Sequence, residues 1–263
     1  MKQYIVDAFT DEPFKGNPAA VCVMEEWISE ELMRNIAKEN NLSETAFAVR
    51  EGESYRLRWF TPKSEIDFCG HATLGTAFVI ANFIEPNCIT IRFSTLSGEL
   101  NVEVDNGMFI MDFPRYKLIP VEVTEKMVKA LGVRPAAAFL DRDLLMVLEH
   151  EEDIFNLKPD FSAMRELDGM CIAVTAKGSE YDCISRVFAP ELDVPEDPVT
   201  GSTHCMIAPY WAERLSKSSI TAFQSSERTG ILYAEICGER VKISGRAILF
   251  GISEILQYGN SEV

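Results

Sequence analysis

The chain has 263 residues, 25 of them basic and 41 acidic, for a formal net charge of −16, with 47% hydrophobic and 25% charged residues. That apolar share supports a full core and rules out a disordered chain, and at roughly 100–200 residues per domain the length points to two domains or one large one. The acidic balance argues against a binder of phosphate backbones or anionic membranes, and no apolar run nears the roughly 18 residues of a membrane helix. In chain order, Met1 to Val6 reads as a strand, with none of the parts of a signal peptide. Ser29 caps a helix to about Glu39, and Glu30 and Glu31 in its first turn suit the dipole. Tyr55–Phe60 and Thr90–Phe93 alternate as strands, and Ala72–Ile84 is apolar nearly all round, predicting a buried helix. Leu100–Val104 and Met108–Met111 flank Asp105-Asn106-Gly107, a hairpin signal. Two prolines between Phe113 and Pro120 mark the only plausible joint, predicting halves 1–113 and 114–263, with the last residues returning to pack on the first half. Further on, a helix over Thr124–Leu131 stops at Gly132. Strands fit Cys171–Val174, Ser185–Phe188, Leu232–Ile236 and Arg240–Ile243, and a helix follows Gly201 to Leu215.

The most informative pattern is a weak internal repeat. Arg58-Trp59-Phe60-Thr61-Pro62 resembles Arg186-Val187-Phe188-Ala189-Pro190. Each is followed by an acidic stretch, a glycine and an apolar helix, at Gly70 and at Gly201. A helix start carries unpaired N–H groups and the positive end of a dipole, so two such starts across a domain cleft would suit a small carboxylate. The alternative is that each glycine merely permits a turn.

Candidate chemistry clusters near these points. Glu44 stands where polar residues lead into a short apolar strand and is placed to act as a general acid/base; the alternative is a solvated loop glutamate. Asp197 precedes Pro198 and stands four residues before Gly201, ready to hold a polar substrate group or a proton, or simply to form a turn. His71 and His204 both fall in the repeat, next to Cys69 and Cys205. A zinc site from these four is a minor reading, because the usual ligand spacing is missing; Cys205 reads better as packed in its helix, and His150 as exposed. The seven cysteines are scattered, odd in number and lack CxxC, which points away from a disulfide framework and toward a reduced, cytoplasmic setting. The glycine spacing of Gly70 to Gly75 resembles a phosphate loop, but Thr76 stands where that loop needs its lysine. Neither GxGxxG nor HExxH occurs.

Taken together, Asp7-Ala8-Phe9, Gly16-Asn17-Pro18-Ala19-Ala20-Val21, Leu42-Ser43-Glu44-Thr45-Ala46-Phe47, Phe60-Thr61-Pro62, Phe68-Cys69-Gly70-His71-Ala72-Thr73-Leu74-Gly75-Thr76-Ala77 and Glu196-Asp197-Pro198-Val199-Thr200-Gly201-Ser202 resemble, in order and spacing, the PhzF family of phenazine-biosynthesis-like isomerases. The resemblance implies an α+β fold like that of diaminopimelate epimerase: two similar halves, each a mixed sheet around a central helix, with the site between them. It implies an isomerase without cofactor or metal, commonly a homodimer, acting on a small carboxylated metabolite. Carried over, Glu44 matches the general acid/base, Asp197 and His71 assist, and Gly70, Gly201, Ser202 and Cys69 line the substrate. The alternatives are an amino-acid-type epimerase with Cys69 as one base, or a ligand-binding protein that kept the fold. Thr200 stands where such epimerases place their second cysteine, which leaves a two-thiol mechanism one base short.

Overall fold

Residues 1–190 and 194–256 are described by a computed structural model. Contacts divide the chain into two units. Unit 1 holds Met1–Phe14, Pro18–Met111 and the described residues from Arg246 onward; unit 2 holds Lys15–Asn17 and Asp112–Gly245.

Unit 1 opens with β1 (Lys2–Ala8), β2 (Asn17–Met24), α1 (Glu30–Asn40), β3 (Glu44–Glu51) and β4 (Ser54–Phe60). Ser29 caps α1 by accepting from the Leu32 amide at 3.2 Å. β2 and β3 pair in parallel, and both are near-continuous apolar runs, as strands covered on both faces must be. One cover is α1, whose Met33, Ile36 and Ala37 pack with Cys22, Phe47 and Phe60. The other is α2 (Gly70–Val79), which packs on β1 and β3 and is buried at every residue but Phe78. The helix continues to Ile84 as expected, but residues 80–84 form a π turn. Asn82 Nδ2 takes the Phe78 carbonyl at 2.8 Å, and this intrusion into the backbone ladder accompanies the widening. The short β5 (Glu65–Ile66) adds to β4, and β6 (Thr90–Thr95), β7 (Gly98–Asp105) and β8 (Met108–Pro114) complete the sheet. The β7–β8 turn puts Asn106 at φ 48° and Gly107 at φ 76°, the left-handed pair that a two-residue hairpin needs. On its other side, β1 pairs antiparallel with the strand Ala247–Glu254.

Unit 2 runs β9 (Ile119–Val121), α3 (Glu125–Leu131), β10 (Ala137–Leu140), β11 (Leu144–Val147), α4 (Glu151–Asn156), α5 (Phe161–Met164), β12 (Ile172–Lys177), β13 (Cys183–Ala189), β14 (Val194–Asp197), α6 (His204–Leu215), β15 (Ser219–Gln224), β16 (Gly230–Cys237) and β17 (Arg240–Gly245). The strand Ala247–Glu254 is β18. Thr124 caps α3, and Gly132 at φ 74° ends it. Alternation decides which face goes where on β12: Ile172, Val174 and Ala176 join Met127, Ile154 and Met164 of the short helices, whereas Thr175 accepts from Trp211 Nε1 of α6 at 2.9 Å.

The two units repeat one plan. Unit 1 pairs strands in the order β18, β1, β2, β3, β4, β6, β7, β8, with β2/β3 and β4/β6 parallel. Unit 2 follows as β9, β10, β11, β12, β13, β15, β16, β17, with β11/β12 and β13/β15 parallel. The fold is α+β, a mixed sheet around a central helix in each unit. The matched arginines hold equivalent places. Arg58 binds Glu65 through two nitrogens at 2.7 and 2.6 Å and lies 5.1 Å over Phe60. Arg186 binds Glu196 at 2.8 and 2.8 Å and lies 5.2 Å over Phe188. Each is a bidentate clamp between a long strand and the short one before the central helix.

One element departs from expectation. Regular α6 begins at His204, three residues after Gly201. Gly201, Ser202 and Thr203 instead accept at 3.2, 3.0 and 3.0 Å from the amides three residues on, the tighter winding of a 3₁₀ turn. Farther along, Pro209 stands inside α6 and cannot donate to Cys205 four residues back; the Tyr116 amide takes that carbonyl at 3.1 Å.

Candidate active site

In unit 1 the first residue of β3 meets the first turn of α2. Parallel pairing with β2 fixes Glu44 opposite Ala19, and its side chain is 14% exposed. His71 is buried in α2, with Nε2 2.9 Å from Glu44 Oε2. The contact is an ion pair by distance; Oε2 accepts no well-aligned hydrogen bond. Cys69, the N-cap of α2, puts Sγ 3.6 Å from His71 Nδ1. The space in front of Gly70 is open, since a Cβ there would meet nothing within 4 Å. Glu44 is therefore no solvated loop residue. Glu44, Cys69 and His71 each bring a ligand-type atom, all within 4.8 Å of one another.

Charge in this cluster follows from burial and neighbours. Burial acts to lower the His71 pKa, but Cys69 and Glu44 act to raise it and prevail, leaving it well above 6.5. Burial, reinforced by Glu44, pushes the Cys69 thiol up to about 11. At neutral pH the Cys69 sulfur is thus a thiol.

In unit 2 Asp197 ends β14. Its Oδ1 accepts from Asn17 Nδ2 at 2.8 Å and its Oδ2 from Thr200 Oγ1 at 2.5 Å. Gln224, at the end of β15, secures the same turn, donating to the Asp197 carbonyl at 2.7 Å and accepting from the Thr200 amide at 2.9 Å. None of these three holders is among the sequence candidates for the site. Asn17 and Thr200 lie inside quoted motifs, but Gln224 carries no local signal, because its role depends on strand pairing. Gly201 and Ser202 occupy the 3₁₀ turn that follows.

His204 and Cys205 belong to the interior of α6. His204 Nδ1 donates to the Thr200 carbonyl at 2.8 Å, and burial lowers its pKa to about 4, so it is neutral. Its counterpart is Thr73, 131 residues earlier, whose hydroxyl donates to the Cys69 carbonyl at 2.5 Å. Cys205 is buried, with its thiol pushed far up by burial. These bonds give His204 and Cys205 structural roles within their helix.

The model of the phenazine biosynthesis-like protein family, PhzC-PhzF, matches residues 6–251. An uncharacterized isomerase of Pseudomonas aeruginosa is 46% identical over 93% of this chain and 95% of its own. A crystal structure of a PhzF-family phenazine biosynthesis protein from Enterococcus faecalis has a TM-score of 0.96 and 48% identity, over 97% of this chain and 99% of that one. A probable proline racemase of Agrobacterium radiobacter shares the fold, with a TM-score of 0.64 at 10% identity over 97% and 92% of the two chains. With the repeated sheet-and-helix plan and a family match from β1 into β18, the chain belongs to the phenazine biosynthesis-like family of isomerases.

Proposed function

We propose that the protein shifts a proton within a small carboxylated metabolite, with Glu44 as the carrier. The observation that carries this reading is the buried pair of Glu44 and His71 at 2.9 Å. In such a pair the carboxylate takes the proton from a carbon made acidic by a neighbouring carboxyl or carbonyl group. The electron pair moves along the substrate's π system, and the same carboxylic acid delivers the proton to another carbon. One base serves both steps, so the proton stays on one face of the substrate. The imidazolium of His71 holds negative charge that develops on the substrate, and the Gly70 amide at the start of α2 adds a donor. Asp197, clamped by Asn17 and Thr200, is assigned to holding the substrate and relaying protons, and Gly201 and Ser202 to binding. A thiol held near 11 is a poor base at neutral pH, which favours Glu44 over Cys69.

The test is deuterium incorporation from heavy water into a panel of small unsaturated and 2-substituted carboxylates, read by mass spectrometry. Glu44→Gln should lower incorporation on the order of 10²–10⁴-fold, with Cys69→Ser far milder. Undiminished incorporation in Glu44→Gln rejects the reading.

A further inference from the structure

A cleft of about 330 Å³ opens in unit 1 at the far end of α2, within the roughly 300–1,000 Å³ usual for small-ligand sites. It lies between β8 and β18, the outermost strands of the unit's order, with Phe109 from one and Ala247 and Ile248 from the other in its walls. Ala81 and Asn82 of the π turn close it at the helix end. Single π turns continuing α-helices occur often at functional sites. From His71 to Ala81 the helix climbs about 15 Å, so the cleft is separate from the Glu44–His71 cluster.

The lining has an apolar part and a charged part. Phe78 and Phe109 stand edge to face with ring centres 6.0 Å apart, and Val104 extends that surface. Asp11 and Arg246 supply one charge of each sign. Arg246 Nη1 lies 3.2 Å from where a Cβ on Gly107 would stand, so the guanidinium rests on the bare glycine of the β7–β8 turn. That seat keeps the guanidinium at the cleft, because Gly107 is itself part of the lining. Among the described residues, neither the Asp11 carboxylate nor the Arg246 guanidinium has a hydrogen bond or an ion pair, with each other or with any third group. A simple anion would meet the Asp11 carboxylate, and a simple amine the Arg246 guanidinium. One unpaired charge of each sign beside an apolar wall matches a ligand with both signs on its head and an apolar tail.

We propose that this cleft binds an α-amino acid with an apolar side chain, its carboxylate on Arg246, its ammonium on Asp11 and its tail over Phe78 and Phe109. The planar guanidinium suits a carboxylate because it can offer two parallel N–H groups. The aromatic pair suits a tail that gains by leaving water. The site is independent of the proton-carrier reading, since none of these residues touches Glu44 or His71.

The test is calorimetric titration of the full chain with L-phenylalanine, with one equivalent bound at millimolar concentration or below as the expected result. 3-Phenylpropanoate lacks the ammonium, 2-phenylethylamine lacks the carboxylate and glycine lacks the tail. Each should bind about tenfold more weakly or worse, the loss of one charge-assisted contact or of the apolar burial. Arg246→Gln and Asp11→Asn should weaken phenylalanine binding to the same degree; both side chains are exposed, so both variants should fold. His71→Gln should leave binding intact. Place is read on the unaltered protein by mass spectrometry: phenylalanine should slow alkylation by iodoacetamide of Cys88, which lines the cleft, and not of the exposed Cys237. Absence of binding, 3-phenylpropanoate binding as tightly as phenylalanine, full affinity in Arg246→Gln, loss of affinity in His71→Gln, or an unprotected Cys88 overturns the site. Deuterium exchange that survives Glu44→Gln would sink the catalytic reading while leaving the titration standing.

Discussion

His204 makes unit 2 acid-sensitive by a calculable amount. The imidazole is fully enclosed; Nδ1–H donates to the Thr200 carbonyl at 2.8 Å and Nε2 lies 3.3 Å from Ser185 Oγ. Burial lowers its pKa from 6.5 to about 4. Between those values the unfolded chain binds a proton that the folded chain refuses, so stability falls as the pH falls through this window. The limiting loss is roughly 3.4 kcal/mol, and at pH 4.5 it is about 2.6 kcal/mol relative to pH 7.5. The assay is urea unfolding of the wild type and of His204→Gln at half-unit steps from pH 7.5 to 4.5. Carboxylate effects are common to both proteins and cancel in the difference. The variant is offset at neutral pH by its lost contacts, and the gap should narrow by about 2.6 kcal/mol on acidification. Parallel curves would refute the claim that this imidazole is held neutral.

Other perturbations have equally definite signs. The raised His71 pKa gives stability that is complete below about 6.5 and is lost as the pH climbs through the folded value, so the wild-type advantage over His71→Gln should shrink in alkali; an advantage that grows with pH reverses the assignment. Gly75 sits inside α2, where a Cβ would meet Val21, Val6 and Ala19 at ordinary contact distances of 3.7, 3.7 and 3.8 Å. Gly75→Ala should therefore raise stability by roughly 0.5–1 kcal/mol, and a lower urea midpoint would mean the helix tolerates no methyl there. Thr175→Val keeps the shape but strips the acceptor from Trp211 Nε1, at an expected cost of about 1–3 kcal/mol by thermal or urea unfolding; a neutral result would show that the indole finds another partner.

Much of the architecture is legible in local pattern. Asn106-Gly107 specifies its hairpin because few other residue pairs accept two left-handed conformations. The repeat is legible at the arginines and glycines because each serves a local device: a strand-to-strand clamp and the entry to a helix. The offset grows from 128 residues at Arg58/Arg186 to 131 at Glu65/Glu196 because the second copy has three more residues between Pro190 and Glu196. What escapes the sequence is non-local. The return of the last residues to the first half is expected, but β18 alternates poorly, with Phe250 and Ile252 more than half exposed, so its own residues do not single out β1 as the strand it pairs with. Glu44 can be picked out as a candidate, but its partner lies 27 residues on, and only the parallel pairing of β2 with β3 and the seating of α2 join them. The late start of α6 also depends on tertiary context, since no local breaker separates Gly201 from His204.

The partnership of β1 with β18 sets an order on biosynthesis. β1 leaves the ribosome well ahead of the strand that covers one of its edges, which is translated only after all of residues 112–245. At roughly 5–20 residues per second, that edge waits on the order of tens of seconds, a template for mispairing with other nascent chains. Every residue of unit 2, by contrast, has been translated by the time Gly245 emerges, so the half encoded later can finish folding before the half encoded first.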